Sequence, residues 1–459
     1  MPKALTMEEA LLNTLWKISK HFPQHLPFRL RQDYFLTLVF YKAICDHWQE
    51  DANELLKSYP DVNNAQHTQL RTELLEQARF VIPDAAHFGT CLASSNAQNI
   101  GQQLEQALSM LEIANPTKLK GLFQDLPFAQ AKQAAFAGQE QVFEVVLADL
   151  NEPECDLRPS RFPFATMVGQ IFAKLQERFT FAARVADDKC PTPIAVAHIM
   201  ASLLAPRAGQ SVYDPACGAG YLLAACAQWI RSKHTSQEFF LFGEDYSYDN
   251  VRLARMQLLL LNIQHQLRHT ESLNAPAFLT VDDELPQFDI ALCHPPENIP
   301  EWLTQMLAQN SFHQFDKGIP DQDKAGFGFV LHMLACLKPE TGRMAALLPY
   351  AALVRGGSDQ AIRQKLLEAN LIDAVICLPN WLFPHANRRY AIVILQHGRV
   401  DQRVCMMDAS HIAKGNQIAV DRIADFYRIG RDVPGYARMV KVKDLIALGN
   451  GLDVSRFKV

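Results

Sequence analysis

A short apolar strand that runs directly into a glycine-containing turn and a helix constrains the fold of this chain more than any other feature. The segment SVYD begins at Ser211, PACGAG follows it, and an apolar helical stretch begins at Tyr221. This order places Asp214 at the carboxyl end of a strand, with Gly218 and Gly220 in the turn that opens the helix. Ligands bind at that edge of open α/β sheets, so the sequence predicts a binding loop here.

Beyond residue 209, short apolar segments alternate with helical stretches, which is the pattern of a mostly parallel sheet. Only about ten residues join the last two strand segments, and a parallel crossover needs a dozen or more, so these two strands are predicted to be antiparallel. The sequence therefore predicts an α/β fold with a Rossmann-like sheet of seven strands, the last of them antiparallel. Those strands are SVYD, FFLFG, LRHT, FDIALC, RMAALLP, IDAVICLP and YAIVILQH.

Periodicity and charge divide the chain into three parts. Residues 1–165 repeat apolar residues at three- and four-residue spacing and are predicted to form an all-helical domain. Residues 166–400 form the α/β domain, and residues 401–459 form a basic C-terminal extension. Residues 380–459 carry 13 Lys and Arg against 7 Asp and Glu, whereas residues 1–150 carry 12 against 17. A surface for DNA or an acidic partner is therefore expected at the C-terminal end.

Composition argues against several classes of protein. No run approaches the roughly 18 to 20 apolar residues of a membrane span, and the N-terminal residues lack the apolar run of a secretory signal. Ten cysteines are present without a CxxC pair, so the sequence predicts neither a metal site nor a disulfide framework. We expect a cytoplasmic protein that has no membrane partner and no metal.

The chemistry of the glycine turn suits S-adenosylmethionine. Glycines let the backbone approach a ligand, a helix N-terminus offers free N–H groups, and the Asp214 carboxylate can receive an ammonium group. A loop for a dinucleotide pyrophosphate would carry a third glycine where this chain has Leu223. The next strand ends at Asp245, which can accept hydrogen bonds from ribose hydroxyls or cap the following helix. After the third strand, Glu271 lies either within reach of the adenine amine of the cofactor or in a plain surface turn.

Together, these segments resemble the modification subunits of type I restriction-modification systems, which are N6-adenine DNA methyltransferases. The similarity covers residues 165–459 specifically and the helical region before them more loosely. It is carried by Thr192-Pro193 ahead of the first strand, the DPACGAG loop, GED before a helix containing ARM, the FVLHML helix, GRMAALLPYAALVRGG, AVICLPNWLF and the closing LDVSRF.

The resemblance implies a class I S-adenosylmethionine-dependent methyltransferase sheet with S-adenosylmethionine as its cofactor. It also implies DNA as a partner, specificity and restriction subunits as further partners, and association with the bacterial nucleoid when the protein is on DNA. The N-terminal helical domain would help to hold DNA or those subunits. From the loop chemistry and the resemblance together, the predicted cofactor-binding residues are Thr192, Asp214, Pro215, Ala216, Cys217, Gly218, Gly220, Asp245 and Glu271.

The predicted catalytic motif departs from the family pattern. After the fourth strand the family carries Asn or Asp, two prolines, and Phe or Tyr, whereas this chain has His294, Pro295, Pro296 and Glu297. In the family, the first side chain and a backbone carbonyl accept hydrogen bonds from the amine of a flipped-out adenine, and the aromatic ring stacks on the base. Such stacking contributes roughly 1 to 3 kcal/mol per base, and Glu297 cannot provide it. His294 can still offer one neutral nitrogen as an acceptor.

Three functions stay open on the sequence. In the first, the chain is an active adenine methyltransferase in which His294 is the acceptor and another ring, such as Trp302, replaces the missing aromatic. In the second, it is a binding module for DNA or protein partners that keeps the cofactor pocket and has lost transfer. In the third, it methylates a protein or a small molecule whose cationic group Glu297 holds, because a fold does not fix a substrate.

Overall fold

The chain forms two compact units, Met1–Ala183 with Arg255–Ile263, and Arg184–Ala254 with Gln264–Val459. No helix that the structure describes is long and apolar enough to cross a membrane. The computed structural model describes residues 6–58, 78–94, 99–124, 126–129, 141–163, 166–183, 192–233, 238–296, 312–320, 326–383, 388–412 and 417–457.

The regular secondary structure that is described in the first unit is helical, as the sequence predicts. Its first helix begins at a capping box, because the Thr6 hydroxyl accepts from the Glu9 N–H at 3.2 Å and the Glu9 carboxylate accepts from the Thr6 N–H at 2.9 Å. Its core contains aromatic rings in edge-to-face contact, such as Tyr34 and Phe128 with centroids 4.9 Å apart. The helices are α1 (Met7–Ile18), α2 (Phe28–Ser58), α3 (Phe88–Ala93), α4 (Ile100–Ala114), α5 (Val142–Leu150) and α6 (Met167–Ala182).

The second unit is built on one mixed β-sheet. Its strands are β1 (Ser211–Asp214), β2 (Phe240–Asp245), β3 (Gln266–His269), β4 (Ile290–Cys293), β5 (Arg343–Pro349), β6 (Ile372–Cys377), β7 (Tyr390–Gln396), β8 (Arg403–Asp408) and β9 (Ala437–Lys441). The order across the sheet is β3-β2-β1-β4-β5-β7-β6-β8-β9. The remaining helices are α7 (Ile194–Leu204), α8 (Tyr221–Lys233), α9 (Tyr248–Leu260), α10 (Gly326–Ala335), α11 (Ser358–Glu368), α12 (Gln417–Arg428) and α13 (Val442–Ala447).

Strands β1 to β5 form the parallel half of the sheet. The pairs β1–β2, β2–β3, β1–β4 and β4–β5 are all parallel. Strand β4 reads IALC and is buried at every position, as expected for a strand covered on both faces. Because parallel strands share one direction, their carboxyl ends meet at one edge of the sheet. That edge carries Asp214, Asp245 and Cys293 as the last residues of β1, β2 and β4.

The hairpin predicted from the short connection between the last two strand segments is confirmed. Strand β7 is antiparallel to β6, and it is also antiparallel to β5, with Pro349 opposite Tyr390. Strand β7 therefore lies between two strands that precede it in the chain. Its first residue is at the same edge of the sheet as the carboxyl ends of β5 and β6.

The prediction of seven strands was wrong, because the sheet has nine. The two further strands come from residues that the sequence assigned to a basic extension. Strand β8 is parallel to β6, and β9 is antiparallel to β8. Strand β9 reads ARMVK and ends the sheet, and charged side chains are common on such edges because they discourage pairing with other chains. Because of these charged residues, the segment was not recognised as a strand from the sequence.

Candidate functional site

The turn after β1 depends on two glycines with positive φ. Gly218 has φ +52° and Gly220 has φ +83°, both in the left-handed region that favours glycine. A Cβ on Gly220 would lie 3.1 Å from the Cβ of Ala254, so a larger residue would also crowd α9. A Cβ on Gly218 would meet nothing within 4 Å. The backbone at Gly218 is therefore open to an approaching ligand.

Asp214 is buried at the end of β1 with one carboxylate oxygen unsatisfied. Its Oδ1 accepts the N–H of Ala216 at 3.1 Å. Its Oδ2 is buried and has no hydrogen-bond partner within the described residues. Burial, with a contribution from the nearby charge of Asp245, raises the pKa of Asp214 well above its ordinary value. A cationic group beside Oδ2 would satisfy this oxygen and offset the repulsion between the two carboxylates.

Asp245 ties the β1 turn to the start of α9. Its Oδ2 accepts the N–H of Gly218 at 2.8 Å. Its Oδ1 accepts the N–H of Ser247 at 2.8 Å and the Nδ2–H of Asn250 at 3.1 Å. Burial raises the pKa of this carboxyl above its ordinary value. Two carboxylate oxygens have about four acceptor positions, so capacity for a ligand hydroxyl is left after these bonds.

The other predicted residues of the loop have structural contacts. The carbonyl of Pro215 accepts the hydroxyl of Ser272 at 2.7 Å, and the N–H of Cys217 donates to the carbonyl of Glu244 at 2.8 Å. Glu271 accepts the N–H groups of the two residues at 273 and 274, at 3.4 and 3.0 Å, and so holds the turn after β3. Burial raises the pKa of Glu271.

His294 follows β4, and its imidazole lies next to Thr192. The Thr192 Oγ1 and the His294 Nδ1 are 3.1 Å apart. Burial lowers the pKa of His294 to about 4, so the ring is neutral at physiological pH. Pro295 is buried and Pro296 is half-buried. Glu297 and Trp302 lie outside the described residues.

One aromatic ring that the sequence did not assign to the site lies beside His294, and a second ring stacks on the first. The imidazole is edge-on to the ring of Tyr390, with centroids 5.6 Å apart and an interplanar angle of 87°. Tyr390 stacks on Phe383 at 4.4 Å and 25°. The predicted hairpin could have indicated both rings, because the connection that contains Phe383 and the start of β7 at Tyr390 lie at the same edge of the sheet as the end of β4.

A buried hydrogen-bond network near the loop was also missed. Glu244 precedes Asp245, and its Oε1 accepts the N–H of Ala277 at 2.6 Å. Its Oε2 is 2.8 Å from the Tyr213 hydroxyl, which is itself 2.9 Å from the Nε2 of His332. Burial raises the pKa of Glu244 to about 7.

The amide of Gln314 determines which ring nitrogen of His332 carries the hydrogen. The carbonyl of Leu273 only accepts, so the Nε2 of Gln314 donates to it at 2.5 Å and the Oε1 faces the His332 Nδ1 at 2.5 Å. His332 Nδ1 must therefore carry a hydrogen. Burial lowers the pKa of His332 to about 3, so its Nε2 carries no hydrogen and can only accept. The single hydrogen of the Tyr213 hydroxyl is thus shared between two acceptors, the Glu244 Oε2 and the His332 Nε2, and the Cys336 Sγ lies 3.8 Å from the same His332 nitrogen.

Because the folded state raises the pKa of Glu244 from 4.5 to about 7, this group stabilises the fold below pH 4.5. That stability is lost as the pH rises from 4.5 to about 7, with a total change of about 3 kcal/mol. Glu244→Gln mimics the protonated acid, so we expect it to leave stability unchanged at pH 4 and to increase it at pH 8. Urea unfolding at both pH values measures this, with Glu340→Gln at an exposed position as the control. A variant less stable than the parent at pH 8 would contradict the raised pKa of Glu244.

Comparison with known proteins agrees with the resemblance seen in the sequence. A family model described as N-6 DNA Methylase matches residues 165–458, and one described as HsdM N-terminal domain matches residues 11–146. The methylase subunit of the type I restriction enzyme MjaIX of Methanocaldococcus jannaschii is 20% identical over 97% of this chain and 83% of that protein. The MjaVII methylase subunit of the same organism is 25% identical, and that match spans 58% of this chain and about half of the relative, 48%.

A solved structure shares the fold over almost the whole chain. The crystal structure of a type I restriction-modification methyltransferase subunit from Streptococcus thermophilus has a TM-score of 0.83 at 21% identity, covering 98% of this chain and 99% of that one. The predicted α/β methyltransferase fold with an N-terminal helical region is thereby confirmed. Because the N-6 DNA Methylase model matches more than half of the residues, this chain belongs to the N-6 DNA methylase family, with the methylase subunits of type I restriction enzymes among its relatives.

Proposed function

We propose that the chain binds S-adenosylmethionine at the loop after β1 and serves as the modification subunit of an adenine-N6 DNA methyltransferase. The observation that carries this proposal is the buried Oδ2 of Asp214, which has no partner within the described residues and lies beside an open glycine backbone. A carboxylate oxygen in that position fits the ammonium of the methionine moiety.

Each described residue of the site has one task in this proposal. Asp214 binds the ammonium, Asp245 accepts the ribose hydroxyls, and Gly218 leaves room for the ligand at the backbone. The bound cofactor supplies an activated methyl group. His294 accepts a hydrogen bond from the amine of an adenine that has left the duplex, and Tyr390 with its stacked neighbour provides an apolar wall beside the imidazole.

The substitution at Glu297 favours a second function, a module that binds cofactor and DNA with little or no transfer. A carboxylate in the place of a stacking ring removes an attraction for the base and adds repulsion for nearby phosphates. The two functions share the cofactor and the partners. They differ in the rate of methyl transfer.

Binding of S-adenosylmethionine to the full chain is tested by calorimetry. We expect saturable binding, and we expect Gly218→Ala to weaken it because a methyl group would occupy the open side of the turn and strain a residue with φ +52°. Gly209→Ala is the matched control, since Gly209 also has a positive φ, +81°, and nothing lies within 4 Å of its Cβ position. Absence of binding at millimolar ligand, or equal loss in both variants, would contradict the cofactor site.

The basic C-terminal region is proposed as the surface that contacts DNA. Several of its cations are already used in ion pairs, for example Arg399 with Asp373 at 3.0 Å. Arg388 and Arg389 are exposed and immediately precede Tyr390, beside the site.

Charge reversal of both residues, Arg388→Glu with Arg389→Glu, is expected to weaken duplex binding and to reduce the dependence of affinity on salt by about two phosphate contacts. Fluorescence anisotropy at several salt concentrations measures both effects. Arg403→Glu is the control, because Arg403 is also exposed in the basic C-terminal region but lies in β8 and does not precede Tyr390. The proposed surface is wrong if the control and the double variant lose the same affinity.

A further inference from the structure

One nitrogen of the His294 imidazole is held by the protein, whereas the other is not held by any residue that the structure describes. Nδ1 is 3.1 Å from the Thr192 Oγ1, and this contact joins residues that are 102 positions apart. His294 follows β4 and Thr192 precedes α7, so two separate elements bring the pair together. Nε2 has no hydrogen bond within the described parts of the chain.

The hydrogen bond at Nδ1 decides what Nε2 can do. A neutral imidazole carries one N–H and one lone pair. If Nδ1 carries the hydrogen, it donates to Thr192, and Nε2 is an acceptor. If the Thr192 hydroxyl donates to Nδ1, Nε2 carries the hydrogen and is a donor. Threonine allows both arrangements, because its hydroxyl both donates and accepts.

We propose that Thr192 accepts the Nδ1–H of His294 and thereby keeps Nε2 free of a proton, as the acceptor for the amine of the target base. This inference rests on the proposed function, because an amine of adenine offers only N–H groups in that direction. If Nε2 carried a hydrogen, its N–H and the N–H of the adenine amine would both be donors, and no hydrogen bond could form between them. An unprotonated Nε2 replaces the side-chain oxygen that other members of the family present from this position.

Thr192 is thus a positioning residue that acts through His294. The resemblance had suggested a different role, a contact with the cofactor. The two roles give different predictions. If Thr192 contacts the cofactor, changes at Thr192 alter the affinity for S-adenosylmethionine. If Thr192 positions His294, they alter the tautomer of His294.

The tautomer is measured directly by long-range proton–nitrogen NMR on the full chain labelled with ¹⁵N-histidine, with the His294 signals assigned by their loss in His294→Gln. We expect the Nδ1–H tautomer in the parent chain at pH 7. Thr192→Ser keeps the hydroxyl and should keep that tautomer. Thr192→Val keeps the shape without the hydroxyl and should shift His294 towards the Nε2–H form. An Nε2–H tautomer in the parent, or a tautomer unchanged in Thr192→Val, would overturn the proposal.

A second measurement separates the two roles of Thr192. Calorimetry with S-adenosylmethionine should give the same affinity for the parent and Thr192→Val, whereas a weakened affinity would return Thr192 to the cofactor site and overturn the positioning role. In methyl-transfer assays, Thr192→Val should lower kcat about tenfold with KM unchanged, as loss of about one hydrogen bond implies. The NMR result does not require transfer, so its failure is distinguishable from failure of the proposed function.

Discussion

Replacing His294 by Asn and Glu297 by Phe is expected to raise methyl transfer to adenine in DNA by about 10²-fold over the unmodified chain. The aromatic ring restores a stack that contributes roughly 1 to 3 kcal/mol per base, and the amide presents the side-chain oxygen of the family in place of the His294 Nε2. Since each 1.36 kcal/mol changes a rate tenfold, the upper part of the range for the stack accounts for a factor of about 10².

The assay compares incorporation of tritiated methyl groups into unmethylated DNA by the parent, both single variants and the double variant. A cognate specificity subunit is included, because modification subunits of the proposed kind work beside one. The matched control is Asp214→Asn added to the double variant, which should raise the concentration of S-adenosylmethionine needed for half-maximal transfer by about 10²-fold if transfer uses the proposed cofactor site. Robust transfer by the unmodified chain, lost in His294→Ala, would show that the motif of this chain is competent as it stands.

Asp214→Asn is expected to weaken binding of S-adenosylmethionine by about 10²-fold, because a hydrogen bond to a charged group contributes roughly 1.5 to 3 kcal/mol. Asn retains an oxygen that can accept the N–H of Ala216, so the turn keeps its internal bond. Only the charge beneath the ammonium is removed. Calorimetry on the parent and the variant measures the difference.

The same variant should make the ligand-free protein more stable at neutral pH. The folded state raises the pKa of Asp214 well above 3.8, so the parent loses stability as the pH rises through that raised pKa, and Asn does not titrate. The affinity of the parent for S-adenosylmethionine should fall as the pH falls through the pKa of Asp214. The affinity of the variant should not show this pH dependence. Opposite effects on binding and on thermal unfolding exclude misfolding as the cause. A variant that loses both affinity and stability would contradict this account of Asp214.

What the sequence predicted well is local. Asp214, Gly218 and Gly220 lie within seven consecutive residues, so the strand, the turn and the helix could be inferred from adjacent letters. The length of one connection was enough to predict the antiparallel pair of β6 and β7. Strand β9 was missed because its Arg and Lys residues belong to the edge of the sheet, which a single sequence does not mark.

What the sequence could not predict is non-local. The contact between Thr192 and His294 depends on two elements separated by strands β1 to β4 in chain order. Tyr213 and His332 are 119 residues apart, and nothing in either segment indicates that they share a hydrogen bond. Pattern and periodicity place side chains on a face of an element. They do not say which distant side chain completes a network.

The position of β7 has a consequence for the order in which the sheet can assemble. Both neighbours of β6, β7 and β8, lie later in the chain than β6 itself. A nascent chain therefore carries the apolar segment IDAVIC with neither partner until residues 390–408 have followed it. Strand β5 also lacks one of its two neighbours until then, since its second neighbour is β7. During synthesis, two adjacent strand edges depend on one late segment, which leaves them open to chaperones or to other chains until that segment arrives.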